Sequence, residues 1–220
     1  MVAEQQSKEI PKTMHTYSTD NDLRLRIAAG LGIVSYLIVE WFPYLGRLVT
    51  QLIPFSIDPT APTLGLTLTV LTAIFAKWLW TQWPIRALGL VDVPNLDGEW
   101  NGEIISSFGD GEDDQSRSTP VEVTIEQSWR KLTIEFETDD SRSYSLGASF
   151  ITAQSDPQLH YHYQSIPKPH APDTMSIHRG STELRFIEGE NGNPDQLVGR
   201  YYTGRGRQNH GRIEVERVGS

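Results

Sequence analysis

The chain has 220 residues, no cysteine and a formal net charge of −9 at pH 7. The absence of thiols excludes a disulfide framework, a thiolate zinc site and a cysteine nucleophile, and the acidic balance argues against DNA or RNA polymers as partners, since these need a basic footprint. Residues 1–91 carry seven Lys or Arg against six Asp or Glu, whereas residues 92–220 carry twelve against twenty-two, so two parts living in different surroundings are expected.

Residues 1–22 are polar, mixed in charge and without apolar period, which predicts a flexible tail. They lack the pattern of a secretory signal. Within residues 23–91 two apolar runs stand out, Leu25 to Phe42 and Leu64 to Ala76, the second continuing through Lys77 into Trp78, Trp80 and Trp83. They predict two transmembrane helices, at about 25–42 and 63–83, each reaching the required ~17–25 residues when its polar ends are counted. Arg26, Glu40 and Lys77 speak for a buried soluble hairpin instead. Against it, Leu64 to Ala76 has only Thr and Gly to offer as a polar face, and the tryptophans resemble an interfacial belt beside a snorkelling Lys77.

Basic residues flank the outer ends of the two runs (Lys8, Lys12, Arg24, Arg26, Lys77, Arg86), and the connector from Pro43 to Pro62 holds only Arg47. That asymmetry predicts a short periplasmic loop and both termini in the cytoplasm of a bacterial cell, a multi-pass inner-membrane arrangement. Small residues in both runs, Gly30 and Gly32 in one and Gly65 and Thr69 in the other, would let spans approach and associate.

At Asn95 to Gly102 the pattern changes. Leu96, Trp100 and Ile104 fall on one face of an extended segment, and Gly98 and Gly102 on that face leave room for another chain to cross. This reads as a first barrel strand, and a Trp such as Trp100 also simply plugs one end of such a core. Period-two alternation then recurs at Val121 to Gln127 and Leu132 to Thr138. Further strands are expected at 144–152, 159–164, 175–178, 183–188, 197–203 and 211–218, separated by turn-forming clusters. About eight antiparallel strands over residues 92–220, with no amphipathic helix, imply an all-β barrel or sandwich. A closed barrel of that size encloses one small ligand.

Continuing the apolar phase places Gln127, Thr138, Tyr161, Tyr163, Tyr201, Thr203 and Arg205 on inward faces. An inward arginine without a carboxylate in the same phase calls for an anionic partner, and phosphate suits its forked donors while tyrosines offer faces to bases. Equally, Arg205 within Gly204-Arg205-Gly206-Arg207 is compatible with a solvated turn, and the tyrosines with ordinary filling. No catalytic constellation or metal site is expected: His160 and His162 fall in the outward phase, without a His-x-x-x-His pair, a nucleophile elbow or a phosphate loop. The pattern favours binding over chemistry.

Two apolar runs followed by Asn95-Leu96-Asp97-Gly98-Glu99-Trp100-Asn101-Gly102, Ile125-Glu126-Gln127-Ser128-Trp129, Thr138 with Ser141 and Ser143, Tyr161-His162-Tyr163, His178-Arg179-Gly180-Ser181-Thr182-Glu183-Leu184 and Leu197-Val198-Gly199-Arg200-Tyr201-Tyr202-Thr203-Gly204-Arg205 resemble the two-transmembrane β-barrel effectors of bacterial CBASS antiphage systems. The resemblance implies a cytoplasmic barrel, related in shape to fatty-acid-binding barrels and lipocalins, that binds a cyclic dinucleotide made by a cognate CD-NTase. It further implies homo-oligomerisation of the spans on binding, disruption of the lipid bilayer and abortive infection, without enzymatic activity or a cofactor. Tyr201, Thr203 and Arg205 match that family's Tyr-x-Thr-x-Arg strand end, and Gln127, Trp129, Thr138, Tyr161 and Tyr163 are further ligand contacts that the resemblance implies. A membrane-tethered carrier of a small apolar ligand is the alternative that the same barrel would serve.

Overall fold

A computed structural model describes residues 13–52, 62–106, 117–153, 156–172, 175–189, 193–204 and 209–219. They form two compact units, one of residues 20–93 and one of residues 94–220 joined by the chain up to Thr19.

The first unit is helical. Helix α1 (Leu23–Leu52) runs through Pro43, where the expected span ends at Phe42. Proline removes one intrahelical hydrogen bond, but the residues after it, Tyr44 to Leu52, contain no further proline to stop the helix. The part Leu23–Tyr44 is long and apolar enough to cross a membrane, and only 6% of its most apolar window is buried; Ile33 is 63% exposed. Helix α2 (Leu64–Lys77) has 14 residues, about 21 Å at 1.5 Å per residue, which is short of the ~30 Å hydrocarbon core. The second span expected as one helix over 63–83 is thus broken into α2, a 3₁₀ turn at Leu79–Thr81 and α3 (Trp83–Ala87). A new helix starts at Trp83 because Pro84 sits in the first turn of α3, which tolerates a missing N–H, and the extended Gln82 caps it.

α1 and α2 pack along a face that buries Ile27, Ser35, Thr67 and Phe75. The Ser35 and Thr67 hydroxyls are satisfied locally, Ser35 donating to the Leu31 carbonyl at 2.6 Å and Thr67 to that of Thr63 at 3.1 Å.

The second unit is a closed barrel of nine strands among the described residues, in the order β1-β4-β3-β2-β9-β8-β7-β6-β5. The strands are β1 (His15–Thr19), β2 (Gly98–Ser106), β3 (Arg117–Gln127), β4 (Lys131–Glu137), β5 (Ser141–Ile151), β6 (Gln158–Pro167), β7 (His178–Glu188), β8 (Pro194–Thr203) and β9 (His210–Arg217). Two features correct the expected all-antiparallel barrel of about eight strands.

First, the segment expected to be tail contributes β1, antiparallel to β4 and parallel to β5, so the barrel is mixed. The β5 bulge between Ser145 and Gly147 limits direct β4–β5 pairing to three residue pairs, and β1 fills the gap that opens. Tyr17 anchors it: the ring lies edge-on to Phe150 at 4.9 Å and the phenol donates to the Trp129 carbonyl at 2.7 Å. Second, the strands expected at 175–178 and 183–188 are replaced by one continuous β7 that passes through Gly180.

One end of the barrel is solid. Leu96, Trp100, Leu132, Phe150, Leu159, Leu184, Leu197 and Val215 are buried there, and the Trp100 indole donates to the Leu96 carbonyl at 3.0 Å. Gly102 permits the close crossing, because a Cβ there would collide with the Glu214 carbonyl of β9. Arg217 closes this end by donating to the carbonyls of Asn95, Asp97 and Pro194 at 2.7–3.2 Å while its guanidinium lies 4.3 Å over the Trp100 ring.

Candidate functional site

At the opposite end, where β2, β4, β6 and β8 finish and β3, β5, β7 and β9 begin, the barrel is hollow, with a cavity of about 370 Å³. The same period-two phase that supplies leucines to the solid end supplies short polar and aromatic side chains here. Ile134 and Phe136 on β4 give way to Thr138; Leu159 on β6 gives way to Tyr161, Tyr163 and Ser165; Leu197 on β8 gives way to Tyr201 and Thr203. Ser141 and Ser143 of β5, His178 and Thr182 of β7 and Asn209 complete the polar wall, with Ile104 and Ile213 as apolar patches.

Hydrogen bonds fix the mouth. Thr138 and Ser141 close the β4–β5 turn, backbone N–H of Thr138 to the Ser141 carbonyl at 2.9 Å and hydroxyl to hydroxyl at 3.1 Å. Outside that turn Glu137 pairs with Arg142 at 2.7 Å and with Lys168 at 2.9 Å. The Lys168 bond first, and Arg142 after it, hold the Glu137 carboxyl below its ordinary range. Across the mouth, the Thr203 hydroxyl accepts from the Asn209 N–H at 2.7 Å and donates to its carbonyl at 3.0 Å. The ring Nδ1–H of His178 donates to the Ser176 carbonyl at 3.0 Å.

Deeper in the cavity lies Thr182, a residue 1% exposed, whose hydroxyl has no partner at hydrogen-bonding geometry among the described residues. It lies beside the Tyr161 phenol. Burial pushes the ionisation of that phenol far up, the neighbouring Thr182 hydroxyl offsetting only part of the effect, so Tyr161 keeps its proton as a donor. Among the described lining residues Asp140 bears the single carboxylate, and neither Lys nor Arg is present. A ligand here meets hydroxyl donors and acceptors, four aromatic side chains and the His178 imidazole, a composition for recognition of a polar, flat-ringed molecule.

Of the residues singled out in the sequence, Thr138, Tyr161, Tyr163, Tyr201 and Thr203 lie together on this wall. Gln127 and Trp129 lie at the solid end. The Gln127 amide accepts from the Leu96 N–H at 2.7 Å and donates to the Pro94 carbonyl at 3.0 Å, which leaves it a structural clamp, and Trp129 is buried off the cavity wall. Period two alone sets a side chain's face, not its height along the barrel, and these two are on the far side of the leucine layer. Arg205 lies outside the described residues; its flanks Thr203 and Asn209 line the cavity. No group of three or more metal-ligating side chains occurs among the described residues.

Ser141, Ser143, Ser165, His178, Thr182 and Asn209 were not picked out as contacts by pattern. Thr182 and His178 share the phase of Leu184, a signal that the expected separation of strands 175–178 and 183–188 conceals.

The wall falls within residues 91–217, which match the family model described as "Cap15, cyclic dinucleotide receptor domain" over more than half of the chain. The chain belongs to this family. Among its relatives is the CD-NTase-associated protein 15 of Yersinia aleksiciae, 31% identical over 150 residues, which are 67% of this chain and 66% of that protein. Proteins of the same name from Escherichia albertii and Staphylococcus schleiferi are each 27% identical, over 201 and 136 residues, covering 87% and 62% of this chain and 94% and 68% of theirs. The resemblance drawn from the motifs, to CD-NTase-associated effectors, is therefore the family to which the comparisons lead, and membership extends over β2 to β9.

Proposed function

We propose that the hollow end of the barrel binds a cyclic dinucleotide and that the protein is a membrane effector of a CBASS antiphage system. The observation that carries this reading is the hydroxyl- and tyrosine-lined cavity inside the stretch matched by the receptor family. Tyrosine rings suit bases, the Ser and Thr hydroxyls suit ribose and phosphate oxygens, and Arg205, between two cavity-lining flanks, supplies the forked cation for a phosphate. The ligand comes from a cognate CD-NTase and is bound, not turned over.

α1 and the segment from α2 to α3 anchor the protein in the bacterial inner membrane with both termini in the cytoplasm, consistent with the bare apolar surface of α1 and the basic residues outside the two runs. Binding acts by linkage. A ligand that fits one arrangement of barrels better than another shifts the population of associated helices by its differential affinity and no more. Associated helices disrupt the bilayer, and the infected cell is lost before phage are released.

The decisive measurement is a thermal-shift screen of the detergent-purified chain against cyclic dinucleotides and fatty acids. Stabilisation by a cyclic dinucleotide, reduced at least tenfold in affinity by Arg205→Ala or by Tyr201→Ala, is the expected result. Stabilisation by fatty acids alone overturns it in favour of a tethered carrier of apolar ligands, which the Ile104, Ile134 and Ile213 patches would suit.

A further inference from the structure

Strand β1 sits in a gap that its two neighbours leave open. β4 and β5 pair directly only from Glu135 with Tyr144 to Glu137 with Arg142, at the hollow end. One step further the ladder is diverted. The Ile134 N–H donates to the Ser145 hydroxyl at 2.9 Å, and the same hydroxyl bonds Nε2 of His15 at 2.7 Å. From there β1 takes over both edges, pairing with Lys131 and Leu132 of β4 and with Ala148, Ser149 and Phe150 of β5. Continued in its own register, the β4–β5 ladder would bring Lys131 opposite Ala148, so β1 and further β4–β5 pairing compete for the same backbone groups.

That competition bears on the cavity. Ile134, Phe136 and Thr138 of β4 and Ser141 and Ser143 of β5 line it on the two sides of this seam. A barrel widens with each strand it contains, so the nine-strand form with β1 seated is the wide one, and a form in which β4 closes on β5 has less room for a ligand. The competition bears equally on the helices. β1 lies outside the residues 91–217 matched by the receptor family, the helical unit is inserted between β1 and β2, and three residues link β1 to α1. Asn21 in that link donates to the Asp92 carboxylate at 3.1 Å, which ties the two ends of the insertion to each other.

We propose that β1 is a coupling strand: a cyclic dinucleotide in the hollow end and β1 in its gap both favour the wide barrel, so each strengthens the other, and binding fixes the strand that leads into α1. This coupling rests on the functional reading above and adds the element through which cavity and helical unit are linked. The two-state element is the β4–β5 seam, spread around β1 or zipped without it. By linkage, the gain in β1 seating on binding equals the gain in ligand affinity on seating.

The test uses the full-length chain in detergent with cyclic di-AMP and other 3′,3′-linked cyclic dinucleotides as probes, affinity read by calorimetry and β1 seating by amide hydrogen exchange. At saturation the amides of residues 16–19 are expected to exchange at least fivefold more slowly than without ligand. Tyr17→Ser removes the bond to the Trp129 carbonyl and the ring contact with Phe150, and is expected to weaken binding at least fivefold. The chain has no cysteine, so Ser18→Cys with Ser149→Cys, register partners on adjoining strands within reach of a disulfide, pins β1 in place. Added to Tyr17→Ser, the pair is expected to restore wild-type affinity when oxidised and to lose it again when reduced. Exchange at 16–19 that ligand leaves unchanged, while β6 and β8 of the cavity wall are protected, overturns the coupling and leaves the functional reading in place. Tyr17→Ser of wild-type affinity, or an oxidised triple variant that binds as weakly as the reduced one, overturns it as well. A wild-type chain that binds none of the probes overturns the reading and the coupling together.

Discussion

Gln127 illustrates how much a polar residue's height in the barrel matters. Its side chain and backbone make three bonds to the entry of β2, accepting from Leu96 N–H, donating to the Pro94 carbonyl and, through its own N–H, donating to the Asp97 carboxylate at 2.7 Å. Removing the amide strands a buried N–H and a carbonyl, which costs about 1–3 kcal/mol. Gln127→Ala is therefore expected to lower the urea midpoint, with ligand affinity of the folded protein unchanged; a loss of affinity at full stability would return Gln127 to the site. Trp100 at the same end is fully buried, and Trp100→Ala is expected to cost roughly 3–5 kcal/mol in the same measurement, because both transfer energy and a cavity are involved.

Among the elements, β1 is the least expected. Three residues, Asp20 to Asp22, separate it from α1, so the strand that seals the barrel seam continues directly into the apolar helix. His15 clips it in place: Nε2 accepts from the Ser145 hydroxyl at 2.7 Å, Ser145 in turn accepting from the Ile134 N–H at 2.9 Å, and Nδ1–H faces the Thr16 carbonyl at 3.4 Å. That arrangement uses neutral imidazole. Burial lowers the His15 pKa, the Thr16 bond opposing it, so the unfolded chain takes up a proton at a higher pH than the folded one. The stability contributed is complete above the unfolded value near 6.5 and is lost as pH falls from there toward the folded value. The fall in urea midpoint between pH 7.5 and 5.5 is expected to be smaller in His15→Gln than in the wild type; equal falls would remove His15 from the pH response. β1 also shows where pattern reading stops. Strands β3, β4, β6 and β8 were legible because four or more residues alternate, and the inward phase delivered Thr138, Tyr161, Tyr163, Tyr201 and Thr203. β1 has a single buried apolar residue in five, and its pairing depends on a bulge 126 residues or more away in sequence. The gap expected between 178 and 183 fails for the related reason that a strand glycine such as Gly180 signals close approach only when its neighbours, here the Tyr202 carbonyl and the Tyr163 ring, are known.

At the scale of the molecule, an acidic barrel and a bare apolar helix are joined in one chain, and the functional reading requires that they be separable by mutation. Ile33 lies near the middle of Leu23–Tyr44 and is exposed. An arginine at the centre of a membrane helix costs about 2.5–3.5 kcal/mol on insertion scales, a shift of roughly two orders of magnitude in an equilibrium. Ile33→Arg is therefore expected to move the protein out of the membrane fraction and to abolish dye release from vesicles of bacterial lipid, with the affinity of the barrel for its cyclic dinucleotide held within threefold. The converse variant, Tyr201→Leu, is expected to stay in the membrane fraction and to release dye only at ligand concentrations raised in proportion to its lost affinity, because linkage transmits no more free energy than the ligand supplies. Dye release by Ile33→Arg at wild-type levels, or ligand-independent release by Tyr201→Leu equal to that of the liganded wild type, would mean that barrel and helix act independently.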